Sequence, residues 1–105
     1  MPDIVIGTTP TIKYTFHSVE PSDIVSAFLT FKQSGRVLLI KSLTDAEVGG
    51  DYISWRLSQE DTLTLGIGDV EIVLNWLTNS DIRGVGNKVR CKCVQNHISE
   101  VISND

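Results

Sequence analysis

The amino-acid sequence predicts an all-β fold, an antiparallel immunoglobulin-like β-sandwich of about seven strands. Val, Ile and Thr supply about 30% of the 105 residues, and these side chains suit a pleated sheet better than a helix. Several segments alternate apolar and polar residues with period 2, whereas no longer window follows a helical period. Turn signals recur every 8–12 residues, a spacing typical of sandwiches, with a small barrel as the alternative.

The N-terminal part of the chain holds the first three predicted strands. These strands cover Asp3–Ile6, Lys13–His17 and Ile24–Lys32. Pro10 cannot donate to a sheet ladder, so a kink or crossover separates the first strand from the second. Within the third strand, Leu29 and Phe31 share one face and Phe28 lies on the other, because successive side chains alternate.

A hairpin and one helical turn are predicted in the middle of the chain. The segment 33–36 (QSGR) is a hairpin signal, and it leads into the almost continuously apolar strand Val37–Ser42. Two glycines at 49 and 50 mark a turn before the alternating strand Tyr52–Leu57. The segment Ser58–Leu65 opens with a capping serine followed by two acidic residues, which predicts a single turn of helix.

The C-terminal part of the sequence predicts the last two strands. The strand Asp69–Thr78 directs Leu74 and Trp76 inward, and the segment 79–81 (NSD) is a turn that leads to the strand Arg83–Val94. The predicted sandwich therefore covers residues 1–95. Residues 96–105 are predicted to form a C-terminal tail or a short extra strand.

Composition excludes several classes of protein. Hydrophobic residues make up 41% and charged residues 21% of the chain, which is ordinary for a globular domain and unlike a disordered one. The longest apolar run, Val37–Ile40, is far shorter than the roughly 20 residues of a membrane helix. The net charge of -4 argues against nucleic-acid binding. The acidic start Met1–Asp3 lacks the basic region of a signal peptide, so synthesis in the cytoplasm is expected.

No catalytic, cofactor-binding or metal-binding residue is predicted, and the chain is not expected to be an enzyme. Cys91 and Cys93 lie one residue apart, a spacing unlike that of a CxxC metal site. On a strand they share a face, which favours two buried free thiols, with a redox role or metal binding as alternatives. His17 and His97 are expected to be solvated, and no GxSxG or HExxH motif occurs.

The uneven distribution of charge predicts an interaction surface. Four bases and no acid occur between residues 82 and 99, whereas seven acids and one base occur between residues 44 and 71. Two opposite poles would suit packing against another protein or another copy of the chain, and an ordinary solvated strand face is the alternative. Outward apolar residues are a second indication of an interface. The candidate interface residues are Arg83, Lys88, Arg90, Lys92, Phe28 and Val73.

Four segments of the chain occur in an order that resembles a known family. They are 7–11 (GTTPT), 28–35 (FLTFKQSG), 57–63 (LSQEDTL) and 68–72 (GDVEI). Together they resemble a family of small prophage-encoded structural proteins of Gram-positive bacteria, which are similar to the N-terminal immunoglobulin-like domain of phage baseplate upper proteins. The resemblance covers nearly the whole predicted sandwich, from residue 7 to residue 94.

The resemblance implies a non-enzymatic component of a phage tail or baseplate that is located in the virion. Its partners would be other virion proteins or copies of itself, including a homo-oligomer, and it implies no nucleic acid, membrane or cofactor. The alternative is a β-sandwich module that binds carbohydrate or a host surface, with Trp55, Trp76 and Tyr52 as the aromatic candidates.

Overall fold

A computed structural model describes residues 3–98 and 100–102, which form two β-sheets packed face to face. The strands are β1 (Ile4–Val5), β2 (Thr11–Thr15), β3 (Ile24–Gln33), β4 (Arg36–Ser42), β5 (Glu47–Val48), β6 (Tyr52–Arg56), β7 (Gly68–Thr78), β8 (Arg83–Val85) and β9 (Val89–Val94), and one short helix, α1, covers Gln59–Leu63. The large sheet has the order β1-β9-β7-β3-β4, with β8 also paired to β7, and the small sheet has the order β2-β6-β5. Every pair is antiparallel except β1 with β9.

This architecture confirms the predicted all-β, immunoglobulin-like sandwich. Each predicted strand has a counterpart, and two details differ. The strand β5 was not predicted, because two residues are too few to show an alternating pattern. The predicted strand Arg83–Val94 is divided into β8 and β9, since Gly86 leaves the regular ladder and donates its N–H to the carbonyl oxygen of Leu74 instead (2.8 Å).

The hairpin between β3 and β4 has the turn that its sequence predicts. Gln33 pairs with Arg36, which leaves a two-residue loop of Ser34 and Gly35. Both loop residues have positive φ angles, 51° and 77°, as the tightest hairpin turns require. Glycine meets this requirement without strain, so the segment 33–36 fixes the register of the two strands locally.

The hydrophobic core lies between the sheets and contains the inward faces that alternation predicts. Leu29 and Phe31 of β3, Leu74 of β7 and Trp55 of β6 are completely buried. The indole Nε1 of Trp55 donates to the carbonyl oxygen of Ser42 at 2.9 Å, so its one polar atom is paired. No helix among the described residues is long and apolar enough to cross a membrane.

The helix α1 is the helical turn that the segment Ser58–Leu65 predicts. Ser58 is its N-cap and forms a reciprocal capping box with Asp61, with hydrogen bonds of 3.1 Å and 2.9 Å. Lys41 of β4 adds an ion pair to Asp61, with its Nζ 3.0 Å from the carboxylate. Burial opposes ionisation, but the hydrogen bonds from the Ser58 backbone and Lys41 outweigh it, so the pKa of Asp61 is lowered.

The hydroxyl of Thr62 joins α1 to the loop between β1 and β2. Thr62 is completely buried, and its Oγ1 accepts from the N–H of Gly7 and donates to the carbonyl oxygen of Thr8, both at 2.9 Å. The segments 7–11 and 57–63, which carry part of the family resemblance, are therefore in direct contact. The Thr62 hydroxyl thereby pairs two backbone groups of this loop.

Two glutamine side chains pair with backbone segments in the way a neighbouring strand would. Gln33 accepts from the N–H of Gly66 and donates to its carbonyl oxygen, both at 2.7 Å. Gln59 makes the same two bonds with Ile102, at 2.6 Å and 2.9 Å. The second pair holds the C-terminal segment, in which residues 96–98 and 100–102 form no strand. Residues 99 and 103–105 of the predicted tail lie outside the described residues.

Cys91 and Cys93 are buried free thiols on the inward face of β9, as the sequence predicts. Burial raises the pKa of both thiols, and that of Cys93 reaches about 11. A thiol with such a pKa stays protonated at neutral pH and is a poor nucleophile and metal ligand. The packing therefore favours a structural role for the pair.

Alkaline pH should lower the free energy of unfolding because the Cys93 thiol loses its proton. Its folded pKa of about 11 lies above its ordinary value of 9.0, so the unfolded chain loses this proton first. The stabilising contribution is complete below pH 9 and is lost as the pH rises through 11. Urea unfolding across this range should show a falling free energy of unfolding. Cys93→Val should reduce the slope, and equal slopes for both proteins would contradict this prediction.

Candidate functional site

A cleft of about 680 Å³ opens between the two sheets beside the edge of β2 that pairs with no strand in the described part of the chain. One wall consists of the consecutive residues 10–16, and the other consists of Asp3, Ile4, Trp76, Val89 and the segment 85–87. Alternate side chains of a strand point to opposite faces, so a wall of consecutive residues means that the edge of β2 borders the cleft. The volume lies within the range of roughly 300–1,000 Å³ that is usual for ligand sites.

Three aromatic rings line the cleft, and two of them lie against glycines of the segment 84–86. Phe16 and Trp76 pack edge to face, with ring centroids 5.1 Å apart. A Cβ added at Gly84 would overlap the indole ring of Trp76, and one added at Gly86 would lie 3.1 Å from the ring of Tyr14. Gly84 therefore allows the indole ring to lie directly against the backbone, whereas at Gly86 an added Cβ would require the ring of Tyr14 to move by a few tenths of an ångström.

Two residues that line the cleft each have a buried polar atom without a hydrogen-bond partner among the described residues. These atoms are the hydroxyl of Tyr14 and the indole Nε1 of Trp76. Burial also raises the pKa of Tyr14, so this hydroxyl keeps its proton and remains a donor. A buried donor without a partner costs about 1–3 kcal/mol, so these two atoms lower the free energy of unfolding.

The free edge of β2 also presents backbone groups to the cleft. The N–H of Leu57 donates to Pro10 and the N–H of Phe16 donates to Asp51. Bonded pairs recur at every second residue of an antiparallel ladder, so Ile12 and Tyr14 also direct their backbone groups toward β6. The residues between them, Thr11, Lys13 and Thr15, direct their N–H and C=O groups outward.

The residues with catalytic or metal-binding chemistry do not converge. His17 and His97 are both exposed, on the loop after β2 and in the C-terminal segment respectively. Among residues 3–98 and 100–102, no group of three or more His, Cys, Asp and Glu side chains could hold a metal ion.

The six candidate interface residues lie on or border the outer face of the large sheet, the face turned away from the small sheet. Phe28 lies opposite Asn75 and is half exposed, and Val73 lies two residues along the same strand from Asn75. On the neighbouring strands, Arg83 lies opposite Leu77 and Arg90 opposite Glu71. Lys92 and Lys88 border the same face. These residues are far apart in the sequence, so their position on one face of the sheet could not be predicted from it.

Ion pairs reduce the positive charge of that face. Glu71 lies 3.0 Å from Arg90 and 3.6 Å from Lys88, so one carboxylate holds two of the four bases. Arg83 donates to the side-chain oxygen of Asn75 at 3.3 Å. Pairing within one face is what a solvated strand surface also shows. The use of this face as an interface stays a prediction.

One comparison with solved structures finds a similar protein. No protein-family model and no curated protein sequence matches the chain. The structure resembles CopC from Methylosinus trichosporium OB3b, with a TM-score of 0.55 and 15% sequence identity. The alignment covers 91% of this chain and 87% of that chain. At this identity the likeness establishes the shared sandwich fold.

The expected phage function and virion location are wrong. The structural likeness is to CopC, which points away from a phage tail, baseplate or virion component. The motif residues explain the error, because Thr62 and Gln33 pair with backbone groups of loops. Such contacts stabilise the loops of a sandwich and do not indicate the function or location of the protein. No finding tests the motif resemblance itself, which stays a prediction.

The aromatic residues of the carbohydrate-binding alternative do not form an exposed platform. Trp55 is completely buried in the core, and the indole nitrogen of Trp76 is buried at the cleft. Tyr52 is covered by Lys13, whose Nζ lies 4.3 Å from the ring centroid.

The cleft itself was not predicted, although the sequence holds one signal of it. Gly84 and Gly86 occupy alternate positions of a predicted strand, and glycine within a strand marks a close approach of another group. Which group approaches depends on the pairing of β7 with β8 at Gly84 and on the packing of β2 at Gly86, and the sequence specifies neither.

Proposed function

We propose that this protein is a non-catalytic binding module whose site is the cleft beside β2. The observation that carries the proposal is that two residues lining an apolar cleft, Tyr14 and Trp76, each hold a buried donor (Oη and Nε1) without a partner in the described part of the chain. Binding sites typically combine an apolar lining with a few polar groups that fix the ligand's orientation. A ligand oxygen would supply the missing acceptor.

The lining defines the chemistry of the ligand. Phe16, Ile12 and Val89 offer apolar surface, and the two donors offer hydrogen bonds to an oxygen. Indole nitrogen donates only, so the ligand must carry an acceptor such as a carbonyl. The ligand class is therefore a molecule with an apolar body and at least one carbonyl oxygen.

Copper handling is less well supported, although CopC shares the fold. A copper centre needs several imidazole, thiolate or carboxylate ligands in one place. The described part of this chain contains no group of three or more such residues.

The proposal can be tested with coumarin, a neutral bicyclic molecule with a carbonyl oxygen. In a ¹⁵N-labelled protein the two indole N–H resonances are separate reporters. Coumarin should shift the resonance of Trp76, whose Nε1 has no partner among the described residues. It should leave the resonance of Trp55 unchanged, because that Nε1 donates to Ser42. Equal shifts of both, or no shift at millimolar coumarin, would overturn the proposal.

Tyr14→Phe should raise stability and weaken binding at the same time. The change removes a buried hydroxyl without a partner but keeps the ring, so the free energy of unfolding should rise by about 1 kcal/mol. Loss of one hydrogen bond should weaken coumarin binding by about tenfold. Chemical denaturation and the Trp76 resonance measure the two effects.

Tyr52→Phe is the matched control, because Tyr52 lies on the outer side of the small sheet under Lys13. It should change neither the free energy of unfolding nor coumarin affinity. A Tyr14→Phe protein that is less stable than the wild type would show that the hydroxyl has a partner, and it would contradict the prediction.

A further inference from the structure

The geometry of the cleft points to an extended peptide segment as its ligand, added to the small sheet as a fourth strand beside β2; we infer this on the basis of the proposed function. Thr11, Lys13 and Thr15 offer N–H and C=O groups in the spacing of an antiparallel ladder. Outside the sheet ladders, none of these three residues makes a backbone hydrogen bond within the described part of the chain. An added strand would satisfy them, as in other sheet-augmenting complexes.

The strand β2 is a more suitable acceptor than the other long free edge. The edge strand β4 contains a bulge, because its register with β3 shifts between the pairs Phe31–Leu39 and Lys32–Val37. Bulges twist an edge away from further pairing. The strand β2 pairs with β6 without any register shift, so its free edge is regular over five residues.

The two sides of β2 specify different residues in the incoming peptide. Ile12 and Tyr14 belong to the inner side, where the cleft has apolar walls, so peptide residues opposite them should be apolar. Lys13 lies on the outer side with its Nζ over the ring of Tyr52. A peptide residue opposite Lys13 should be acidic, because opposite charges across a ladder attract.

Charge also argues against a second copy of β2 as the occupant. Antiparallel pairing of two β2 strands in the fullest register would place Lys13 of each copy directly opposite the other. Like charges in that position are destabilising. The occupant is therefore an alternating acidic and apolar segment of another protein.

The test uses the blocked peptide Thr-Val-Glu-Val-Thr, with glutamate placed opposite Lys13. Methylation of the glutamate backbone nitrogen removes a donor that faces β2 and should weaken binding by at least about tenfold. Methylation of the first valine nitrogen is the matched control, because that N–H points away from β2, and it should leave affinity unchanged. The peptide should also slow amide hydrogen exchange at Lys13 and leave exchange at Ile12, already bonded to β6, unchanged.

Charge exchange provides a second test. Lys13→Glu should weaken binding of the glutamate peptide and strengthen binding of the same peptide with lysine at its centre. Arg56→Glu on the neighbouring strand should change both affinities less. Equal effects of the two methylations, or no binding of the peptide while coumarin still shifts Trp76, would overturn the strand assignment and leave the cleft as a ligand site. If neither coumarin nor the peptide shifts Trp76, the proposed function and the strand assignment both fail.

Discussion

Thr62→Val should lower the free energy of unfolding by roughly 3 kcal/mol. The hydroxyl of Thr62 is completely buried and pairs with both the N–H of Gly7 and the carbonyl oxygen of Thr8. Valine has nearly the same shape, so the variant loses the hydrogen bonds without leaving a cavity. The N–H of Gly7 and the carbonyl oxygen of Thr8, whose bonds to Thr62 are partly buried, then lose this partner, and each unpaired group costs about 1–3 kcal/mol.

Thr64→Val is the control for this substitution. Thr64 is exposed and bonds only within its own turn, where its hydroxyl donates to the carbonyl oxygen of Asp61. Its replacement should change stability by less than about 0.5 kcal/mol. Urea denaturation of both variants measures the difference, and equal losses would show that the Thr62 bridge contributes nothing of its own.

Gly84→Ala should destabilise the protein by about 3 kcal/mol and disorder the aromatic cluster of the cleft. An added Cβ would overlap the indole ring of Trp76, and a shift of the ring would disturb its edge-to-face packing on Phe16. The near-ultraviolet circular dichroism of the cluster should weaken together with stability. Coumarin binding should fall as well, since Trp76 supplies one of the two donors.

Two further variants separate this clash from a general effect of alanine. Gly50→Ala adds a Cβ with no heavy atom within 4 Å, so it should be close to neutral. Adding Trp76→Leu to Gly84→Ala should cost less than the sum of the single changes, because the smaller side chain relieves the overlap. Strict additivity of the two substitutions would contradict the steric explanation.

Local sequence patterns predicted most of the secondary structure. Alternation placed Leu29 and Phe31 on the buried face of β3 and Phe28 on the exposed face, and the structure agrees. The Ser34-Gly35 turn and the Ser58 cap were also predicted, since each depends on residues that are close in sequence. By contrast, β5 was missed because two residues carry no pattern.

The functional prediction failed for a different reason. The resemblance drew on residues such as Gln33, Gln59 and Thr62, which pair with backbone groups. Such residues stabilise loops, and a shared way of stabilising loops gives no information about partners or location. The candidate site lies elsewhere, around Tyr14 and Trp76.

The sequence by itself determined the fold class, the inward and outward faces of the strands and the turns between them. These features follow from the two-residue period of a strand and from the backbone preferences of a few turn residues. Only the tertiary structure decided that, among the described residues, β2 has a free edge and the buried hydroxyl of Tyr14 has no partner, and that Gly84 lies beneath Trp76. Each of these depends on which distant strands pair, and pairing across the chain leaves no local pattern in the sequence.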